Sequence, residues 1–224
     1  MSSGDTSWYG RLDRSVIIDA ALRVAARPGV REVRFRDLGV ELDADPTAVY
    51  RHFRSKAELM AALIDRLMHE VSAVLPASAG WRKFMRAMAK EVFDRFLAHP
   101  AVGVHLVDSR VVGPSELAVV EASLQAFEEA GLSGDALVAH YSAFSGMLLA
   151  YVAAACRERV TAVLERPDDA TAWLATEAGL VASSLPRLTR YAPGLAALDF
   201  RSTYFAGVEV LIDSVARTGA AREA

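Results

Sequence analysis

The sequence predicts an all-α protein: a small amino-terminal three-helix module followed by a larger helical domain. Three observations carry that expectation. Apolar residues recur three and four apart along most of the chain, the period of one helix face. Runs of β-branched residues bounded by turn signals, the mark of strands, are few. Hydrophobic residues make up 53% of the 224, ample for a sizeable core, and alanine and leucine favour helices.

The first helix is expected from Arg14 to Ala26, where Ile17, Ala20, Ala21 and Val24 share a face and Arg27-Pro28-Gly29 stops the run. A shorter helix follows from about Phe35 to Leu42, with Leu38 and Leu42 on one side. Gly39 should weaken it by roughly 1 kcal/mol relative to alanine, so close packing is the expected reason for the glycine. Leu42-Asp43-Ala44-Asp45 makes a tight turn. Asp45 is then a good N-cap, and Pro46 suits the first helical position, where its missing N–H costs nothing. Between Pro46 and Phe53, Val49 and Phe53 face inward, while Thr47, Tyr50, Arg51 and His52 lie outside or flank that face. Ser55 with Glu58 forms a capping box that opens another helix. Lys56 falls in its first turn, unfavourable for the macrodipole but placed to neutralise a phosphate. The layout is helix-turn-helix, with Pro46 to Phe53 as the recognition helix.

Val33-Arg34-Phe35-Arg36-Asp37-Leu38-Gly39, Thr47-Ala48-Val49-Tyr50-Arg51-His52-Phe53 and Ser55-Lys56-Ala57-Glu58-Leu59 together resemble the TetR family of bacterial transcriptional regulators (TetR/AcrR type). The resemblance in motif covers about residues 14 to 65; beyond it the chain is similar only in length and helical character. Two positions depart from the family pattern. Arg34 stands where a threonine or serine usually caps the second helix, and Asp43 where glycine is common in the turn. Aspartate tolerates the left-handed conformation better than most residues.

The resemblance implies a DNA-binding transcriptional regulator, a repressor released from a palindromic operator by a small-molecule effector. It divides the chain into a helix-turn-helix DNA-binding domain at 1–56, a linking helix at about 55–75, and a ligand-binding and dimerisation domain at 76–224. On that reading Arg51, with Thr47 and Ala48, addresses base edges of double-stranded DNA, Arg51 preferring guanine. Tyr50, His52 and Lys56 hold phosphates, with Arg36 as a helper. The rival readings are an activator of the same fold and a helical small-molecule sensor or carrier without DNA binding.

The net charge of −3 looks wrong for a DNA binder until it is divided. Residues 1–56 carry 10 basic and 8 acidic residues, net +2, and the remainder 15 and 20, net −5. The local cluster of Arg51, His52, Arg54 and Lys56 is what matters to a duplex. One cysteine, Cys156, excludes an intramolecular disulfide and is expected as a small core residue. No apolar signal segment opens the chain, and its longest apolar stretch, Gly146 to Cys156, is short of the ~20 residues a membrane span needs. A soluble, cytoplasmic protein without membrane contact is therefore expected. His52, His69, His99, His105 and His140 are scattered without metal-ligand spacing, and no Gly-rich phosphate loop or nucleophile elbow occurs. These absences predict neither catalytic residues nor a metal or cofactor.

Beyond residue 75, Pro76 to Gly80 marks a break. Helices are expected at Gly80–Ala98, Val102–Asp108, Ser115–Ala130, Asp135 to about Arg159, Thr171–Ser184 and Asp199–Arg217, with an exposed loop at Leu164–Thr171. The family resemblance puts an effector cavity here, and Trp81, Met85, Met88, His105, Phe127, Tyr141, Phe144 and Tyr151 are its candidate walls, for a largely apolar effector. The same residues serve equally well as plain core. Leu137, Tyr141, Phe144, Leu148, Tyr151 and Ala155 form one wide stripe, and Tyr204, Phe205, Val208, Leu211, Ile212 and Val215 another. Helices 135–159 and 199–217 from each subunit are therefore expected to build a four-helix homodimer interface.

Overall fold

The computed structural model describes residues 12–76, 79–108, 113–161 and 185–223. Among these residues every regular element is a helix. The amino-terminal module is α1 (Arg14–Ala25), α2 (Phe35–Leu42) and α3 (Pro46–His52), and α4 (Lys56–Ser72) leads away from it. The larger part comprises α5 (Trp81–Ala98), α6 (Pro100–Gly103), α7 (Pro114–Glu129), α8 (Gly134–Thr161), α9 (Pro186–Ala196) and α10 (Phe200–Glu223). The expected helix at 171–184 and loop at 164–171 lie outside the described residues.

The module forms for the local reasons its sequence announces. The Asp13 carboxylate accepts the Val16 N–H at 2.9 Å and caps α1, which buries Ile17, Ala20, Ala21 and Val24. Asp43 takes φ 48° and ψ 45°, the left-handed conformation that ends α2. Gly39 meets the second helix of the motif so closely that a Cβ would lie 2.9 Å from the Ala44 carbonyl oxygen and from Pro46 Cγ. Val49 and Phe53 are fully buried beneath α3. α4 packs against α5 and α7 and also touches α1, so a single helix spans both parts of the chain.

Several expectations need correction. α4 ends at Ser72 rather than near Leu75, and residues 73–75 form turns. The helix expected at Val102–Asp108 starts earlier, at Pro100 in its first position, and lasts only to Gly103, followed by turns to Asp108. α9 was hidden by its composition, because Pro193 sits inside it and Gly194 follows. The two stripes assigned to a dimer interface are largely consumed within the chain. Phe144, Leu148, Tyr204, Val208, Ile212 and Val215 are at most 3% exposed because α8 and α10 pack on each other and on α5. What α8 leaves outside is a different face, with Val138 59% exposed and Ala139, Ser142, Ala143, Gly146 and Ala150 also open. That face is small and uncharged, and so α8 is, by length and composition, apolar enough to cross a membrane. The run from Gly146 to Cys156 underestimated it. The inward side of α8 belongs to the core of this chain.

Candidate nucleic-acid interface and cavity

The recognition helix is fixed at both ends before any ligand is considered. Asp45 accepts the Thr47 N–H at 2.8 Å and the Thr47 hydroxyl at 2.7 Å, and those bonds hold its carboxyl below the usual range. At the other end Arg14 of α1 donates to the His52 carbonyl at 2.5 Å and to Glu58 at 2.7 Å, with its guanidinium 4.1 Å over the Phe53 ring. Ser55 caps α4 through the Glu58 N–H at 3.1 Å. Glu58 completes the box one residue early, accepting the N–H of Arg54 at 2.8 Å. Three helices therefore share one set of charge-assisted bonds.

The outward side of α3 presents Thr47, Tyr50 and Arg51, with Ala48 and His52 half-buried at its flanks. Tyr50 is 57% exposed, and its ring is braced on edge against Phe35 with centroids 4.4 Å apart. Neither Arg51 nor Arg54 enters an ion pair among the described residues. Arg36 is 72% exposed and lies 3.5 Å from Asp37. Lys56 is differently placed: its ammonium pairs with Glu32, which Arg34 also approaches at 3.2 Å. Lys56, then Arg34, holds the Glu32 carboxyl below the ordinary range. The bonds of Arg14 to His52 and Glu58 and of Lys56 to Glu32 had no local signal in sequence, since the partners lie 24 to 44 residues apart.

The candidate cavity residues separate. Met88, Tyr141 and Phe144 line one cavity of about 70 Å³, together with Met68 of α4, Glu116, Val119 and Ser123 of α7, and Ser145 of α8. Met85 and Phe127 are fully buried core. Trp81 stacks with Arg82, whose guanidinium is 4.2 Å from its ring. Tyr151 sits beside Tyr204, centroids 6.5 Å apart. His105 is half-buried near the domain junction, and burial, then the charge of Lys56, pushes its imidazole below the usual range against Asp108 and Glu32. A second cavity, of about 190 Å³, shares Val119 and runs along Ser72, Leu75, Phe84 and Ala122.

Met68 and Glu116 were not anticipated. Glu116 is half-buried, and burial first, with the Asp65 charge adding to it, raises its carboxyl above the usual range despite a bond from the Gly113 backbone. Asp65 of α4 accepts the Ser115 N–H at 2.8 Å. Cys156 is fully buried, its thiol donating to the Phe96 carbonyl at 3.4 Å, and burial pushes it up to about 12.

Residues 17–63 match the model of bacterial regulatory proteins of the tetR family, and residues 75–218 match the tetracyclin repressor-like carboxy-terminal domain. An HTH-type transcriptional repressor, DrrR1, from Streptomyces coeruleorubidus is 30% identical over 152 residues, 66% of this chain and 53% of that protein. The chain thus spans about half the length of that relative. Among solved structures, a possible TetR family transcriptional regulator from Streptomyces coelicolor A3(2) superposes with TM-score 0.75 at 20% identity, over 92% of this chain and all of that one. The Streptomyces coelicolor protein ActR in complex with actinorhodin gives 0.72 at 22%, over 93% and 98%.

Proposed function

Because the chain belongs to the tetR family of bacterial regulatory proteins, we propose that it is a DNA-binding transcriptional repressor, dimeric, released from a near-palindromic operator by a small, largely apolar effector. One observation carries the reading. The exposed face of α3 offers Thr47, Tyr50 and Arg51 on a helix capped by Asp45 and clamped by Arg14 to α1 and α4. Arg51 reads base edges with Thr47 and Ala48, while Tyr50, His52 and Arg36 hold phosphates. Lys56 joins them by exchanging Glu32 for a phosphate.

Two recognition helices one helical turn of DNA apart require two subunits. The face that fits a second copy is the small, uncharged outer side of α8 from Val138 to Ala150, with Ala206 and Val210 exposed on α10. Small residues let such helices approach closely. The effector cavity is the one bounded by Met68, Met88, Tyr141 and Phe144. Its volume accepts only a small group as it stands, and the two methionines are adaptable enough to widen it. Met68 lies on α4, about 18 Å along the helix axis from Lys56. An occupant that prefers a shifted α4 changes the separation of the two recognition helices, and this preference supplies the coupling.

Selection of duplexes from a random pool with the purified protein tests the proposal. An enriched inverted repeat, footprinted symmetrically, is the expected result; no enrichment would leave a helical sensor as the better account.

A further inference from the structure

The cavity beside α4 has an acid in its wall and no base to match it. Glu116 is half-buried among apolar neighbours, and among the described residues no cation pairs with it. The nearest charge on α4, Asp65, is another carboxylate and is engaged by the Ser115 N–H at 2.8 Å. Ser123 is spent on the Val119 carbonyl at 2.6 Å. Besides Ser145, the rest of the surface is apolar: valine and leucine side chains together with the thioethers of Met68 and Met88 and the rings of Tyr141 and Phe144. A carboxylate desolvated beside a second carboxylate is unfavourable; a proton relieves both effects in acid, and an incoming positive charge does so where the carboxyl is ionised. An anion would meet two like charges, and a neutral molecule would leave the cost in place. Aromatic faces and thioethers suit a flat apolar body, and the Tyr141 ring adds a surface that attracts a cation.

We propose that this cavity takes a protonated amine carried on an aromatic body, with the Glu116 carboxylate as its counter-ion, an inference that rests on reading the cavity as the effector site. Glu116 stands in the first turn of α7, whose amino end Asp65 ties to α4. An ammonium group drawn to Glu116 therefore acts next to the joint between the cavity and the helix that carries α3.

The test uses three probes with one ring and different charge: phenethylamine, phenethyl alcohol and phenylacetate, titrated calorimetrically into the full chain at neutral pH. The amine is expected to bind about tenfold more tightly than the alcohol, and phenylacetate most weakly. In Glu116→Gln the advantage of the amine over the alcohol should disappear. Equal affinities for amine and alcohol in the parent protein overturn the inference without recourse to any variant, as does a preference that survives Glu116→Gln. Ser145→Trp, which fills the cavity, separates the two levels of the account. If it abolishes alcohol binding while amine and alcohol bind the parent alike, the cavity stands as a ligand site and the counter-ion does not. If no probe binds, or if the alcohol still binds after the cavity is filled, the cavity reading falls together with the inference.

Discussion

The carboxylate of Asp65 on α4 accepts the backbone N–H of Ser115, 2.8 Å away at the start of α7. Gly113, the residue at the N-cap position, offers no side chain for this task. The cap of α7 is thus supplied by another helix, the one that carries the recognition helix. Asp65→Ala should lower stability by about 1 kcal/mol, the usual worth of an N-cap. Gly113→Ala should do comparable damage, because a Cβ there would run into the Asp65 carboxylate. Urea unfolding measures both, and the double variant should cost little more than either single one if they break the same contact.

Lys56 is held by Glu32 in the free protein, with both side chains about 40% exposed. Such a pair contributes at most about 1 kcal/mol to stability, so its consequence is for DNA. Glu32→Gln should tighten binding to every duplex by a factor of a few, because Lys56 no longer leaves a carboxylate for a phosphate, while Lys56→Ala should flatten the dependence of log affinity on log salt by about 0.9 for one lost phosphate contact. Fluorescence anisotropy across a salt series reads the slope. An unchanged slope would mean that Lys56 does not reach the backbone.

Burial raises the Glu116 carboxyl above its ordinary 4.5, so the folded chain holds that proton more firmly than the unfolded chain does. The sign follows. Ionising Glu116 costs the native state, and stability from this residue falls as pH rises from 4.5 through the raised value. Glu116→Gln should flatten that decline when urea midpoints are compared across the acid range, and a steeper decline would contradict the assignment.

Cys156 is inert by construction. Its Sγ is buried against Gly103, where no Cβ would fit, and the thiol is raised to about 12. Thiolate is therefore scarce at neutral pH, and labelling by a maleimide should proceed only through unfolding. Labelling of the native protein at the rate of a free thiol would require Cys156 to be reached without unfolding.

The helix-turn-helix was legible because its determinants are local. Asp45, Pro46, Ser55 and Gly39 act within a few residues of their own positions, and each does in the structure what its place in the sequence implies. Lys56 looked free for the opposite reason: Glu32 reaches it across 24 residues, a distance no local pattern encodes. The same limit applies to Arg14, whose partners in α3 and α4 define the clamp. Stripes on α8 and α10 were correctly periodic, yet periodicity cannot distinguish burial against a neighbouring helix from burial against a second subunit. Phe144 and Tyr204 turned out to face inward, and the open face was the quiet one of alanine, serine and glycine. Glu116 went unnoticed because an acid in the first turn of a helix is ordinary until its surroundings are known.

Arg51 is the side chain on which sequence reading by α3 depends. The direct measurement is affinity for a selected inverted repeat and for a scrambled duplex, each across a salt series, with the parent protein and Arg51→Ala. The account predicts a steep salt slope for both duplexes and a strong preference for the repeat in the parent. In the variant the preference should shrink by about 1–3 kcal/mol per lost base contact. A flat salt dependence in the parent, or a variant that discriminates the two duplexes as the parent does, would contradict it.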